Sequence, residues 1–166
     1  MRKKVLSILV ENTPGLLSHV SGLFSRRGYN IDSFSAGVTA DPRFTRITIV
    51  TSGDELILEQ IEKQLAKLED VVDIKVLEPN ESVQREMMLV KIAATKDDRQ
   101  DILALTSMLH AKVVDVTPRS IIIEVAGRQE KLESFLENLE GYEILELART
   151  GLTGLSRRSD DVVIID

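Results

Sequence analysis

An apolar run ending at Val10 is followed by Glu11-Asn12-Thr13-Pro14-Gly15, and the helix-patterned stretch after it closes on Gly28-Tyr29-Asn30-Ile31. Thr13 suits a helix N-cap, Pro14 suits the first helical position because its missing N–H is not needed there, and Gly15 leaves the mouth without a side chain. The amides of Gly15, Leu16 and Leu17 are then open. A helix N-terminus carries partial positive charge and unpaired donors, so it can receive a carboxylate, each charge-assisted hydrogen bond contributing roughly 1.5–3 kcal/mol. Gly28 can take the left-handed cap conformation, and Asn30 opens the next strand with an amide that both donates and accepts. An α-amino acid needs partners of both kinds. Each feature also has a plainer reading: Asn-Thr-Pro-Gly starts many helices that bind nothing, and a loop asparagine often satisfies its own backbone.

Little else in the chain offers chemistry. There is no cysteine, which excludes disulfides, thiol nucleophiles and zinc ribbons, and the two histidines, His19 and His110, lack neighbours at ligand spacing, so no metal is expected. No phosphate loop, nucleophile triad or cofactor fingerprint is present. Asp97-Asp98 and Asp160-Asp161 are read as a helix start and a solvated tail. A net charge of −6 with 4% aromatic residues argues against nucleic acid, which rewards basic stripes and stacking platforms. No apolar run approaches a membrane span, and Met1-Arg2-Lys3-Lys4 leads straight into a strand pattern, so no membrane association and a cytoplasmic location are expected.

The elements that must position these residues follow from periodicity. Residues 4–10 form a strand-length apolar run; 15–27 places Leu16, Val20, Leu23 and Phe24 on one helical face. Residues 31–39 and 46–51 read as a hairpin about Ala40-Asp41-Pro42-Arg43. A second helix spans 54–68, with Asp54 as N-cap and Ile57, Ile61, Leu65 and Leu68 as its stripe, before a strand at 71–77. After the polar break Glu78-Pro79-Asn80-Glu81-Ser82, the order β-α-β-β-α-β repeats over 86–94, 98–109, 112–116, 120–126, 129–139 and 142–148. The expected class is α+β: two tandem ferredoxin-like domains with antiparallel sheets and helices on one face. The boundaries read as 1–78 for the first domain, 79–85 for a linker and 86–166 for the second with its tail. That tail, "RTGLTGLSRRSDDVVIID", has no obvious place in either sheet and is expected to dock elsewhere.

The stretch "LSILVENTPGLLSHVSGLFSRRGYNIDSFSAG" resembles the opening of the ACT domain in the small regulatory subunits of acetolactate synthase, also called acetohydroxyacid synthase. "EQIEKQLAKLEDVVDI", "REMMLVKI", "VVDVTP" and "ELARTGLTGLSR" extend the likeness over essentially the whole chain. The resemblance implies a non-catalytic subunit that activates a separate large catalytic subunit and lets a branched-chain amino acid, valine first, inhibit it in valine, isoleucine and leucine biosynthesis. It implies no cofactor in this chain, with thiamine diphosphate, Mg and FAD belonging to the catalytic partner. It also implies an effector lying between two copies of the domain, with Asn12, Gly15, Leu16 and Leu17 contributed by one copy and Asn30 and Ile31 by the other. Leu16, Leu17 and Ile31 could equally be core.

A homodimer pairing edge strands through residues 33–38 would supply both halves of two symmetric sites. Two alternatives stand beside this reading. One is a freestanding ACT-type amino-acid sensor serving another enzyme or a transcriptional system. The other is a small acylphosphatase-like enzyme, disfavoured because its phosphate loop needs an arginine that the first helix mouth lacks.

Overall fold

A computed structural model describes residues 1–163 and shows two ferredoxin-like units, each an antiparallel sheet with two helices. In the first, β1 (Arg2–Glu11), α1 (Leu16–Arg27), β2 (Asn30–Val38), β3 (Phe44–Gly53), α2 (Glu55–Ala66) and β4 (Val71–Val76) build a sheet of order β2-β3-β1-β4. The second comprises β5 (Ser82–Ala93), α3 (Arg99–Met108), β6 (Lys112–Val116), β7 (Ser120–Gly127), α4 (Gln129–Asn138) and β8 (Ile144–Arg149), in the order β6-β7-β5-β8. A further short strand, β9 (Thr153–Ser156), pairs with β5.

Two periods meet in the first core. Along β1, Leu6, Ile8 and Val10 point to the helices, as alternation in a pleated strand requires, and Leu16, Val20, Leu23 and Phe24 of α1 meet them. From α2, Leu58, Ile61 and Leu65 complete the core, while Ile57 and Leu68, which the sequence pattern places in the stripe, are partly buried at its margin. Phe24 and Tyr29 pack edge to face, 6.1 Å between ring centres. The helix ends where the sequence indicates: Gly28 has φ +67°, and its N–H reaches the Ser25 carbonyl at 3.3 Å.

The opposite face of this sheet is also covered. Ser7, Leu9, Thr48 and Val50 alternate away from the helices and are nevertheless buried. Residues 152–163 belong with Met1–Gln84 in one compact unit, and the second compact unit is Arg85–Gly151. The Leu152 N–H donates to Ser33 Oγ of β2 at 2.8 Å, the Arg157 N–H to the Glu81 carbonyl at 2.9 Å, and Lys75 of β4 pairs with Asp161 at 3.4 Å. A side chain at Gly154 would place its Cβ 3.0 Å from both Leu77 Cδ1 and the Val83 carbonyl oxygen, so glycine is what lets β9 approach so closely. The segment the sequence leaves unplaced therefore straps the first sheet from its β2 edge to its β4 edge; residues 164–166 of its apolar finish lie outside the described residues.

The second core repeats the scheme with Met88, Val90, Ile92, Ile102, Ile121, Ile123, Val125, Leu132 and Phe135. Glu86, buried at the start of this sheet, is held by Arg149 through two hydrogen bonds, Nε to Oε1 at 2.8 Å and Nη2 to Oε2 at 3.0 Å. Among the described residues no helix is long and apolar enough to cross a membrane.

Candidate functional site

The first helix starts later than its sequence signal. Thr13 is not the N-cap and Pro14 is not helical: α1 begins at Leu16, and its N-cap is Gly15, at φ +81° and ψ +3°. Pro14 and Gly15 form a turn ahead of the helix, and Asp70, in the α2–β4 corner, holds the chain before it. Its carboxylate accepts from Thr13 Oγ1 at 3.0 Å and lies 2.9 Å from His19 Nδ1, and its carbonyl accepts the Glu11 N–H at 2.7 Å. Thr13 meets the helix through its backbone instead: its carbonyl accepts the Leu16 N–H at 3.3 Å across Pro14-Gly15, and Gly15 turns the chain in the left-handed conformation that glycine adopts without cost.

The result is an uncapped mouth. No side chain caps α1, and no acidic residue stands in its first turn. The other helices differ: Asp54 Oδ1 caps α2 by accepting the Ile57 N–H at 2.9 Å, α3 carries Asp101 in its first turn and α4 carries Glu130. First-turn amides have no intrahelical acceptor; the Leu16 N–H is taken by the Thr13 carbonyl at 3.3 Å, and the α1 mouth otherwise combines donors, dipole and freedom from self-supplied carboxylate in its own first turn. Asp70 is the nearby negative group, and its charge is spent on neighbours: the hydrogen bond from His19, then that from Thr13, hold its carboxyl below the usual aspartate range.

A lowered folded-state pKa means that Asp70 stabilises the fold above the ordinary value of 3.8, and that this contribution fades as pH falls through the lower folded value. A carbon-13 titration of the Asp70 carboxyl is expected to show its midpoint below 3.8. Replacing His19 by alanine should move it upward, because the largest cause of the shift is gone.

Of the residues the sequence singles out, four gather at this end. Asn12 is exposed; its N–H donates to the Arg43 carbonyl at 2.7 Å and its Nδ2 to the Pro42 carbonyl at 3.3 Å, which ties the mouth to the β2–β3 turn. Gly15 is open to solvent, and a Cβ built on it would meet nothing nearer than His19 Nε2 at 3.9 Å. Leu16 is core, so only its backbone faces outward, whereas Leu17 is 55% exposed beside the mouth.

Asn30 and Ile31 are elsewhere. They open β2 beyond the far end of α1, and a twelve-residue helix is about 18 Å long, so one chain does not bring them to Gly15. Ile31 packs partly against the core, and Asn30 is exposed, its Nδ2 donating to Asp32 Oδ1 at 2.7 Å and to Ser52 Oγ at 3.1 Å. With its nitrogen so used, the amide oxygen is what Asn30 presents. Sequence reasoning passed over Asp70, Asp32 and Ser52 because each acts across a fold contact; the one local hint was His19, one turn beyond Gly15.

Residues 6–73 match the family model described as an AHAS small subunit-like ACT domain, and residues 85–158 match that of the small subunit of acetolactate synthase. The chain belongs to the acetolactate synthase small subunit family. It is 45% identical over 156 residues to the probable acetolactate synthase small subunit of Methanothermobacter thermautotrophicus, covering 93% of each chain. It is 47% identical to the isozyme 3 small subunit of Salmonella typhimurium, covering 93% of this chain and 96% of that one. Among solved structures, the acetolactate synthase small subunit of Thermotoga maritima superposes with a TM-score of 0.88 at 37% identity, covering 96% of this chain and 99% of that one. The α1 mouth thus lies inside the ACT domain of an acetolactate synthase small subunit.

Proposed function

We infer that this chain is the non-catalytic regulatory subunit of an acetolactate synthase and that it binds a branched-chain amino acid, valine in the first place, at the α1 mouth. The observation that carries this is the mouth itself: an uncapped helix start without an acidic first turn, opened by a left-handed glycine, in a domain of the matching family. The amides of Gly15 and Leu17 take the ligand carboxylate, beside the Leu16 N–H that the Thr13 carbonyl holds at 3.3 Å, and the exposed side chain of Leu17 supplies apolar contact for an aliphatic group. The ammonium needs acceptors, which the amide oxygen of Asn30 offers from a second copy of the chain. Separation of Gly15 from Asn30 within one chain is what makes the site a property of a dimer. Strand β2 is an edge of its sheet, and pairing two copies along it covers two rows of unpaired backbone groups at once.

The catalytic partner is a separate large subunit, which this chain activates and, with the amino acid bound, restrains. A coupling of about 1–3 kcal/mol between effector and partner is sufficient for such regulation. Calorimetry with valine should give one ligand per chain, because the mouths of α2, α3 and α4 each carry an acid in the first turn that repels a carboxylate. Mixing the chain with an acetolactate synthase catalytic subunit should raise its activity and make it valine-sensitive. Lack of any valine-dependent heat, together with no effect on that activity, would reject the reading.

A further inference from the structure

Strand β6 is an outer strand of the second sheet, hydrogen-bonded on one side, to β7, and it holds there the place that β2 holds in the first. An open strand edge is a template for another strand, and charged side chains along it ordinarily discourage pairing. β6 carries two, Lys112 and Asp115, both exposed, and neither has an ion pair or side-chain hydrogen bond among the described residues. Their placement turns the defence into a match. Lys112 stands opposite Glu124 of β7 and Asp115 opposite Ile122, because the register skips a residue between Val113 and Asp115. Residues 122 and 124 share a face of the sheet, so the skip brings Lys112 and Asp115 onto that same face, where an unbroken strand would set residues three apart on opposite faces. Val114 and Val116 beside them are 51% and 48% exposed.

We propose that β6 pairs with β6 of a second copy of this chain, antiparallel about a twofold axis between Val113 and Val114. Lys112 of each copy then stands opposite Asp115 of the other, which gives two opposite-charge pairs, with Val113 and Val114 opposed between them. Self-complementarity is what selects a second copy as the occupant. An edge carrying one sign of charge calls for a different chain, whereas this one holds its cation and its anion at positions that twofold symmetry sets against each other. The same pairing covers two rows of unpaired backbone groups and brings the exposed valines together. It involves the second unit alone and stands whether or not the α1 mouth binds an amino acid.

The chain has no cysteine, so thiol cross-linking reads this register directly. Full-length chains carrying Lys112→Cys or Asp115→Cys, co-expressed and oxidised, should form covalent dimers, because opposed strand residues have Cα atoms about 4.5–5.5 Å apart, within disulfide reach. Each variant alone should not, since like positions lie three residues out of register, about 10 Å along the strand. The one Lys112–Asp115 pair left in the mixed dimer supplies a second reading. Adding Asp115→Lys to the Lys112→Cys chain sets lysine against lysine and should slow cross-linking about tenfold; adding Lys112→Glu to the Asp115→Cys chain then restores opposite charge and the original rate. All these positions are exposed, and circular dichroism should show every chain folded. The proposal is overturned if the co-expressed cysteine variants give no covalent dimer, if either alone cross-links as readily as the mixture, or if charge reversal leaves the rate unchanged. Where a charge variant fails to fold, the cysteine pair decides by itself.

Discussion

Gly15→Asp is expected to fold and to lose valine binding by about a hundredfold or more, the equivalent of two charge-assisted hydrogen bonds. Folding survives for two reasons. A Cβ at position 15 has room, with His19 Nε2 at 3.9 Å its nearest neighbour. Aspartate is also among the side chains that tolerate the left-handed conformation recorded there, φ +81°, where the penalty for an ordinary residue is about 1–2 kcal/mol. Binding does not survive, because the new carboxylate stands at the N-cap and takes the amides itself. Gly15→Ala separates the two effects: it carries the backbone penalty without the anion, and its loss should be far smaller. Circular dichroism and thermal melting report the fold, and calorimetry reports the site. Unchanged valine affinity in the folded aspartate variant would mean that the ligand is held somewhere other than the α1 mouth.

What the sequence disclosed and what it hid divide along a physical line. Elements whose cause is local were legible: the period of Leu16, Val20, Leu23 and Phe24, the Asp54 cap, the Gly28 stop and the twofold β-α-β-β-α-β order all appear as read. The α1 start differs because Thr-Pro-Gly carries two local signals, a helix cap and a turn with Pro then Gly at its centre, and the turn, closed by the Leu16 N–H on the Thr13 carbonyl at 3.3 Å, is the one adopted. The strap from Leu152 was unplaceable for a related reason: its glycines look like loop residues, yet Gly154 is there so that β9 can lie against Leu77 and Val83. Its coverage also accounts for the apolar run of β1, where Leu9 is buried on the face turned away from the helices. The candidate site was half legible. Gly15 and Asn30 could be chosen by residue type, but whether Leu16, Leu17 and Ile31 face ligand or core depends on helix rotation, and the structure leaves only Leu17 exposed.

The tail arginines resolve into internal partners as well. Arg158 is bonded to Asp160, Nη2 to Oδ2 at 2.8 Å, and Arg157 Nε lies 3.4 Å from the Ser82 carbonyl oxygen. Arg149 carries the most. It binds Glu86 through two parallel hydrogen bonds and Glu133 through a third at 3.1 Å, and the Glu86 contact, the largest contribution, raises its pKa. Glu86 is 8% exposed, so truncating its partner strands a carboxylate out of water. Arg149→Leu should therefore destabilise the second unit by about 3 kcal/mol or more, the scale seen when one member of a buried pair is removed. For a unit of this size that corresponds to a fall in melting temperature of about 10–20 °C. Loss of the Glu133 contact contributes little to this, because that side chain is half exposed and water replaces the arginine. The cause is thus stranding rather than lost attraction, and the two are separable. Removing both charges, Glu86→Leu with Arg149→Leu, should recover most of the loss, since apolar replacements of a buried pair are often neutral or better. Glu133→Ala alone should melt close to the parent chain. A double variant no more stable than Arg149→Leu would show that the pair itself, and not the cost of an orphaned carboxylate, holds the end of β8 to β5.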